Sequence, residues 1–260
     1  MFDIPTMLTV ISLYVILFLY GITIGSFVNV LICRIPRKEN FVKIRSHCES
    51  CGYELQWFDL IPLFSYICLR GKCRKCKAKI SIQHLLIEVL NGLLYVVTFW
   101  RFGLSLETLV YCLMFSALLG LSMIDLKTYE IPFGFNVFIF VLGCVKLCFR
   151  LQDWKEYVIG FFAVSVFLYL LFLLSRGAAI GGGDVKLMAV CGLVIGWKLI
   201  IFAFILGCII GSVIHILRMK LSGEDHVLAM GPYLSVGVLL AVFFGDRFLS
   251  WYLGILSFGM

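Results

Sequence analysis

From Met7 to Cys33 the chain runs 27 residues without a charged side chain. A hydrocarbon layer about 30 Å thick is crossed by roughly 20 apolar residues in a helix. The same yardstick picks out further runs at 83–100, 106–124, 132–150, 157–175, 185–198, 199–217 and 229–248. In lipid the backbone must satisfy its own polar groups, so eight such runs predict an all-α polytopic membrane protein with about eight transmembrane helices. The sixth run is short, and the last ends at Asp246 and Arg247. Composition agrees, at 62% hydrophobic and 14% charged residues, where soluble domains carry about 45–50% and 25%. The first run is too long for a signal-peptide core and the preceding residues lack a basic region, so it reads as a first span.

Only the segment between the first and second runs is long enough to form a water-exposed domain. Residues 34–80 hold eleven Lys and Arg against four acids, which accounts for the whole net charge of +7. Basic loops stay in the cytoplasm, which places this insert inside and the N-terminus outside. Following the spans alternately puts Asp125 at the cytoplasmic end of the third. Residues 176–184 then form a cytoplasmic loop, and residues 218–228, with Arg218, Lys220, Glu224 and Asp225, return to the same side. The basic surface suits anionic lipid headgroups or serves only to enforce topology. It carries no nucleic-acid recognition motif, so no nucleic-acid partner is expected.

A domain of about 50 residues needs a staple. Cys48-x-x-Cys51 and Cys73-x-x-Cys76, with 21 residues between the pairs, supply one. Each pair can form a knuckle presenting two thiolates, and two knuckles complete a tetrahedral all-sulfur zinc site. Such a site is coordinatively closed and therefore structural. The other reading is four unrelated cysteines in a chain that has eleven. Gly52 and Gly71 flank the pairs where tight turns are expected.

Two acids stand out elsewhere. Asp184 follows three glycines in GGGDVKL, residues 181–187, where a loop meets a span. Three glycines permit unwound backbone at membrane depth, and an ionisable group there is a functional candidate. Asp125, in SMIDLKTYEIP, falls at the same membrane face. Each alone could be a helix-boundary residue, Asp184 pairing with Lys186 and Asp125 with Lys127. Together, two carboxyls on separate spans can share one proton and activate water, as in an aspartic peptidase. Competing chemistries lack parts: His47, His84, His215 and His226 show no H-E-x-x-H spacing, and no P-loop or G-x-S-x-G is present. Glu88, Asn91 and Asn29 are expected to hydrogen-bond neighbouring helices, and Gly21/Gly25, Gly192/Gly196 and Gly207/Gly211 to mark close helix packing.

With these residues in view, the chain resembles the bacterial type IV prepilin peptidases, the bifunctional leader peptidase and N-methyltransferases. The matches are GSFVNVLICRIP (25–36), the two cysteine pairs around IPLFSYICLRGKC (61–73), IEVLNG (87–92), Asp125 with Ile131-Pro132, GGGDVKL (181–187) and Gly231-Pro232-Tyr233-Leu234. The resemblance implies Asp125 and Asp184 as the catalytic pair of a G-x-G-D aspartic peptidase spanning residues 83–260. It further implies that residues 34–82, after a first helix at 1–33, form a four-cysteine cytoplasmic domain supporting methylation from S-adenosylmethionine. Gly71 is a candidate for the methylating site, because a side chain there would obstruct the turn beside the knuckle. The implied partners are type IV prepilin or pseudopilin precursors, cut after the Gly of a basic leader and N-methylated at the new terminus, at the cytoplasmic face of the bacterial inner membrane. The chain departs from the family pattern at Phe133, His84-Leu85 and Met230. A transporter or assembly scaffold with a structural zinc site is the competing expectation.

Overall fold

The computed structural model describes residues 4–40, 45–177, 180–222 and 228–258; Lys43, Glu224, Asp225 and His226 lie outside them. Among the described residues all eight apolar runs are helical, and β pairing is limited to two isolated bridges in the insert. Six helical segments are long and apolar enough to cross a membrane, so the chain is a multi-pass membrane protein. The fourth and sixth runs form helices of 17 and 14 residues, shorter than a full span. The fifth run is interrupted at Val164 and forms two helices.

The chain divides into two compact units, residues 1–120 and 121–260, with the boundary inside one helix, α4 (Leu106–Thr128). In the first unit, α1 (Ile4–Arg34) packs antiparallel against α3 (Ile82–Phe102). A Cβ at Gly21 would lie 2.7 Å from Gly92 Cα, and one at Gly25 would lie 3.0 Å from Glu88 Cα. Small residues let the backbones approach, and polar side chains then tie them. Asn91 Nδ2 donates to Gly21 O at 2.7 Å, and Asn29 Nδ2 donates to His84 O at 2.9 Å. Ser81 caps α3 by accepting from the Gln83 N–H. Between α1 and α3 the insert holds the cysteine knuckles, a 3-10 turn at Trp57–Leu60 and the short α2 (Phe64–Cys68).

The second unit is built around α8 (Gly182–Ile195), which is buried from Leu187 through Ile195. Around it pack α5 (Phe133–Phe149), α6 (Trp154–Ala163), α7 (Ser165–Leu174), α9 (Trp197–Ser222) and α10 (Gly231–Phe258). Helix α5 runs parallel to α8: a Cβ at Gly183 would lie 3.0 Å from Ile131 Cβ at one end, and one at Gly143 would lie 2.8 Å from Leu193 at the other. Gly192 abuts Gly160 of α6, and Gly207 of α9 abuts Leu234 of α10. The expected small-residue contacts are therefore present on all three glycine pairs.

Candidate active site and metal centre

Asp125 lies in the last turns of α4, 4% exposed. Its Oδ2 accepts the backbone N–H of Gly231 at 2.9 Å. Gly231 is the first residue of α10, where amides have no acceptor within the helix. A carboxylate also complements the positive end of the helix dipole there. A Cβ at Gly231 would stand 2.7 Å from that same Oδ2, so only glycine allows this approach without displacement. One turn further along both helices, Ser122 Oγ donates to Ser235 Oγ at 3.0 Å.

Asp184 is the third residue of α8 and half-buried. Gly181, the N-cap of the same helix, lies against its carboxylate: a Cβ there would stand 3.2 Å from Asp184 Oδ2. Its Oδ1 is buried and has no hydrogen-bond partner. The two carboxyls are close enough for the charge of Asp125 to act on Asp184. Each thus has one oxygen against a glycine at a helix N-terminus, and Asp125 is held there by the glycine's amide.

The triple glycine does not unwind the backbone as the sequence suggested. Gly182 and Gly183 are the first two helical residues of α8, and Gly181 is an extended N-cap at φ −72, ψ 139. Positive φ occurs earlier, at Gly177. Glycine is needed here for closeness: the missing side chain of Gly183 admits Ile131. Lys186 does not pair with Asp184 but stands over the Phe133 ring at 5.6 Å.

Two groups in this unit escaped the sequence reading. Asn136, in the first turn of α5, is buried with both amide atoms unpartnered. Lys146, near the other end of α5, donates to Val194 O at 2.9 Å and lies 5.1 Å from the Tyr157 ring. It caps the carbonyl end of the helix whose amide end carries Asp184. Both are polar residues inside an apolar run, the signal that could have flagged them.

In the insert, the four Sγ atoms of Cys48, Cys51, Cys73 and Cys76 lie within 4.8 Å of one another, and all eleven cysteines are free of disulfides. Tetrahedral zinc with bonds of about 2.3 Å separates its sulfurs by about 3.8 Å. Cys48 and Cys76 are 3.9 Å apart, so the donor set fits zinc. The knuckles repeat one design. In each, the residue four after the first cysteine donates its N–H to that cysteine's carbonyl, Gly52 to Cys48 and Lys77 to Cys73, with φ of +68 and +61. The residue before each pair bridges to one after it, His47 to Glu54 and Lys72 to Lys79.

The backbone N–H of Cys76, then that of Lys75, holds the Cys73 thiol down at about 6. The Tyr53 N–H favours the Cys51 thiolate, but burial and the crowd of three sulfurs outweigh it and push Cys51 up to about 11. That crowding of negative charge is what a divalent ion would relieve. Gly71, at φ +66, lies beside this cluster; a Cβ there would meet Tyr66 Oη at 2.9 Å.

Comparison with known proteins divides the chain in the same order. Residues 19–102 match the bacterial peptidase A24 N-terminal domain, and residues 112–216 match the type IV leader peptidase family. A prepilin leader peptidase/N-methyltransferase of Bacillus subtilis (strain 168) is 31% identical over 242 residues, covering 92% of this chain and 97% of its own. The protein of the same description from Stutzerimonas stutzeri is 30% identical over 264 residues, covering 90% and 91%. That from Myxococcus xanthus (strain DK1622) is 32% identical over 216 residues, covering 81% of this chain and 64% of its own. No solved structure matches.

Proposed function

The chain belongs to the type IV leader peptidase family, and from that premise we propose how its residues carry two reactions, prepilin leader cleavage and N-methylation of the new terminus. The observation that carries the peptidase assignment is the pair of acids Asp125 and Asp184, each against a glycine at a helix N-terminus and close enough to feel the other's charge. Sharing one proton, the pair lets the ionised carboxylate take a proton from water while the protonated one donates to the scissile carbonyl. The water oxygen bonds to the carbonyl carbon, and the tetrahedral intermediate collapses as a proton passes to the leaving amine. No side chain becomes covalently attached. The peptidase role falls to residues 83–260, and residues 34–82 support methylation.

The methyl donor implied by the second reaction is S-adenosylmethionine, which supplies an electrophilic methyl group on a sulfonium. Cys48, Cys51, Cys73 and Cys76 would hold zinc as a closed structural site. Gly71 keeps Tyr66 in place beside it.

The excess of basic residues in the insert supports a cytoplasmic position for it, an N-terminus outside, and cleavage at the cytoplasmic face of the inner membrane. Substrates are type IV prepilins or the pseudopilins of secretion and competence systems. The insert's charge also favours contact with anionic lipid. Incubating the purified protein with a prepilin peptide and S-adenosylmethionine tests both activities. Cleavage after the leader Gly followed by a single added methyl group, read by intact mass, is the expected result; an uncut peptide overturns the assignment.

A further inference from the structure

The first unit encloses a cavity of about 420 Å³ between α1, α3 and the insert. That lies within the range of about 300–1,000 Å³ typical of small-molecule sites. Its wall is mainly apolar, and the polar groups set into it are of two characters. Arg34, buried at the end of α1, brings a guanidinium. Five residues back on the same helix, Asn29 is 4% exposed, its Nδ2 committed to His84 O and its buried Oδ1 without a partner. Glu88 of α3, also buried, reaches the wall while accepting the Leu63 N–H at 2.8 Å. Tyr66 contributes an aromatic face.

We propose that this cavity is the methyl-donor site, with Arg34 facing the carboxylate of S-adenosylmethionine and Glu88 facing its cationic and N–H-bearing parts. The assignment rests on the methyltransferase reading and gives it a location. A phosphate headgroup offers only acceptors and is a poor match for Glu88. In the transfer, the lone pair of the neutral terminal amine forms the N–C bond as the C–S bond breaks. The electron pair stays on sulfur as a neutral thioether, and the surplus ammonium proton leaves to water.

The test uses the full-length, zinc-loaded protein in neutral-lipid nanodiscs and radiolabelled S-adenosylmethionine. Equilibrium binding is compared for the wild type, Glu88→Gln and Arg34→Gln, with leader cleavage measured on each sample as the control for folding. Both variants are expected to bind the donor about ten-fold or more weakly, the loss of one charge-assisted contact. Ultraviolet cross-linking of the donor to the wild type, mapped by peptide mass, should label residues 26–88. A wild type that methylates and binds, with both variants binding equally well or the label falling in 121–258, overturns the location alone. A wild type that cleaves but neither methylates nor binds the donor overturns the methyltransferase reading as well.

Discussion

Gly231 gives its backbone N–H to Asp125 Oδ2 at 2.9 Å, and the position of its absent side chain lies 2.7 Å from that same oxygen. The carboxylate is therefore positioned by a residue 106 positions away that has no side chain. Gly231→Ala should push Asp125 aside and lower kcat for leader cleavage about 100-fold, since a displacement near 1 Å has that effect. Methylation of a pre-cleaved peptide should be retained. Steady-state cleavage at the wild-type rate would show that the contact does not position the acid.

Asp125→Asn and Asp184→Asn are each expected to leave precursor uncut in protein that still inserts. The double variant should be no worse than either single, because the carboxyls act as one unit. An additive further loss in a single-turnover assay would contradict a shared mechanism.

Gly71→Ala places a side chain at φ +66, a strain of about 1 kcal/mol, and drives Tyr66 from its place. The expected result is near-normal cleavage with methylation lost, read as the absence of one methyl in the product mass.

Zinc should bind at one equivalent per chain and leave on chelation as the pH falls. Its sulfurs must be thiolates, and the resistance of Cys51, whose thiol is pushed up to about 11, makes proton competition strong. Metal analysis after dialysis against chelator across pH 5–8 checks this, and Cys73→Ser should weaken binding throughout.

Asn136 buries an amide whose donor and acceptor are both unmet. Asn136→Leu should therefore raise the thermal midpoint of the substrate-free protein, a gain of about 1–3 kcal/mol. A lowered midpoint would mean that the amide has a partner that leucine cannot replace.

Hydropathy made the helices legible, because lipid-facing and buried surfaces are both apolar and leave long runs. It could not separate α6 from α7, since Val164 belongs to the same apolar run as its neighbours, although it did mark the sixth run, which became α8, as short. The cysteine cluster was readable because a C-x-x-C knuckle is local. Asp125 and Asp184 stood out as acids in a bundle with few. What holds them was hidden: a backbone amide of Gly231 has no signature in composition, and the glycines before Asp184 looked like unwinding when they serve close packing.

The bond from Lys146 to Val194 has a consequence for biogenesis. When α5 emerges from the ribosome its lysine lacks the carbonyl it finally caps, because Val194 is still 48 residues from being made. A lysine in an apolar helix opposes entry into lipid by up to about 3 kcal/mol at the bilayer centre. Stable lodging of α5 thus waits for α8, and α8 arrives carrying Asp184. Insertion and completion of the proposed catalytic pair become the same step, so a chain truncated before Asp184 loses both that acid and the anchor for an earlier helix.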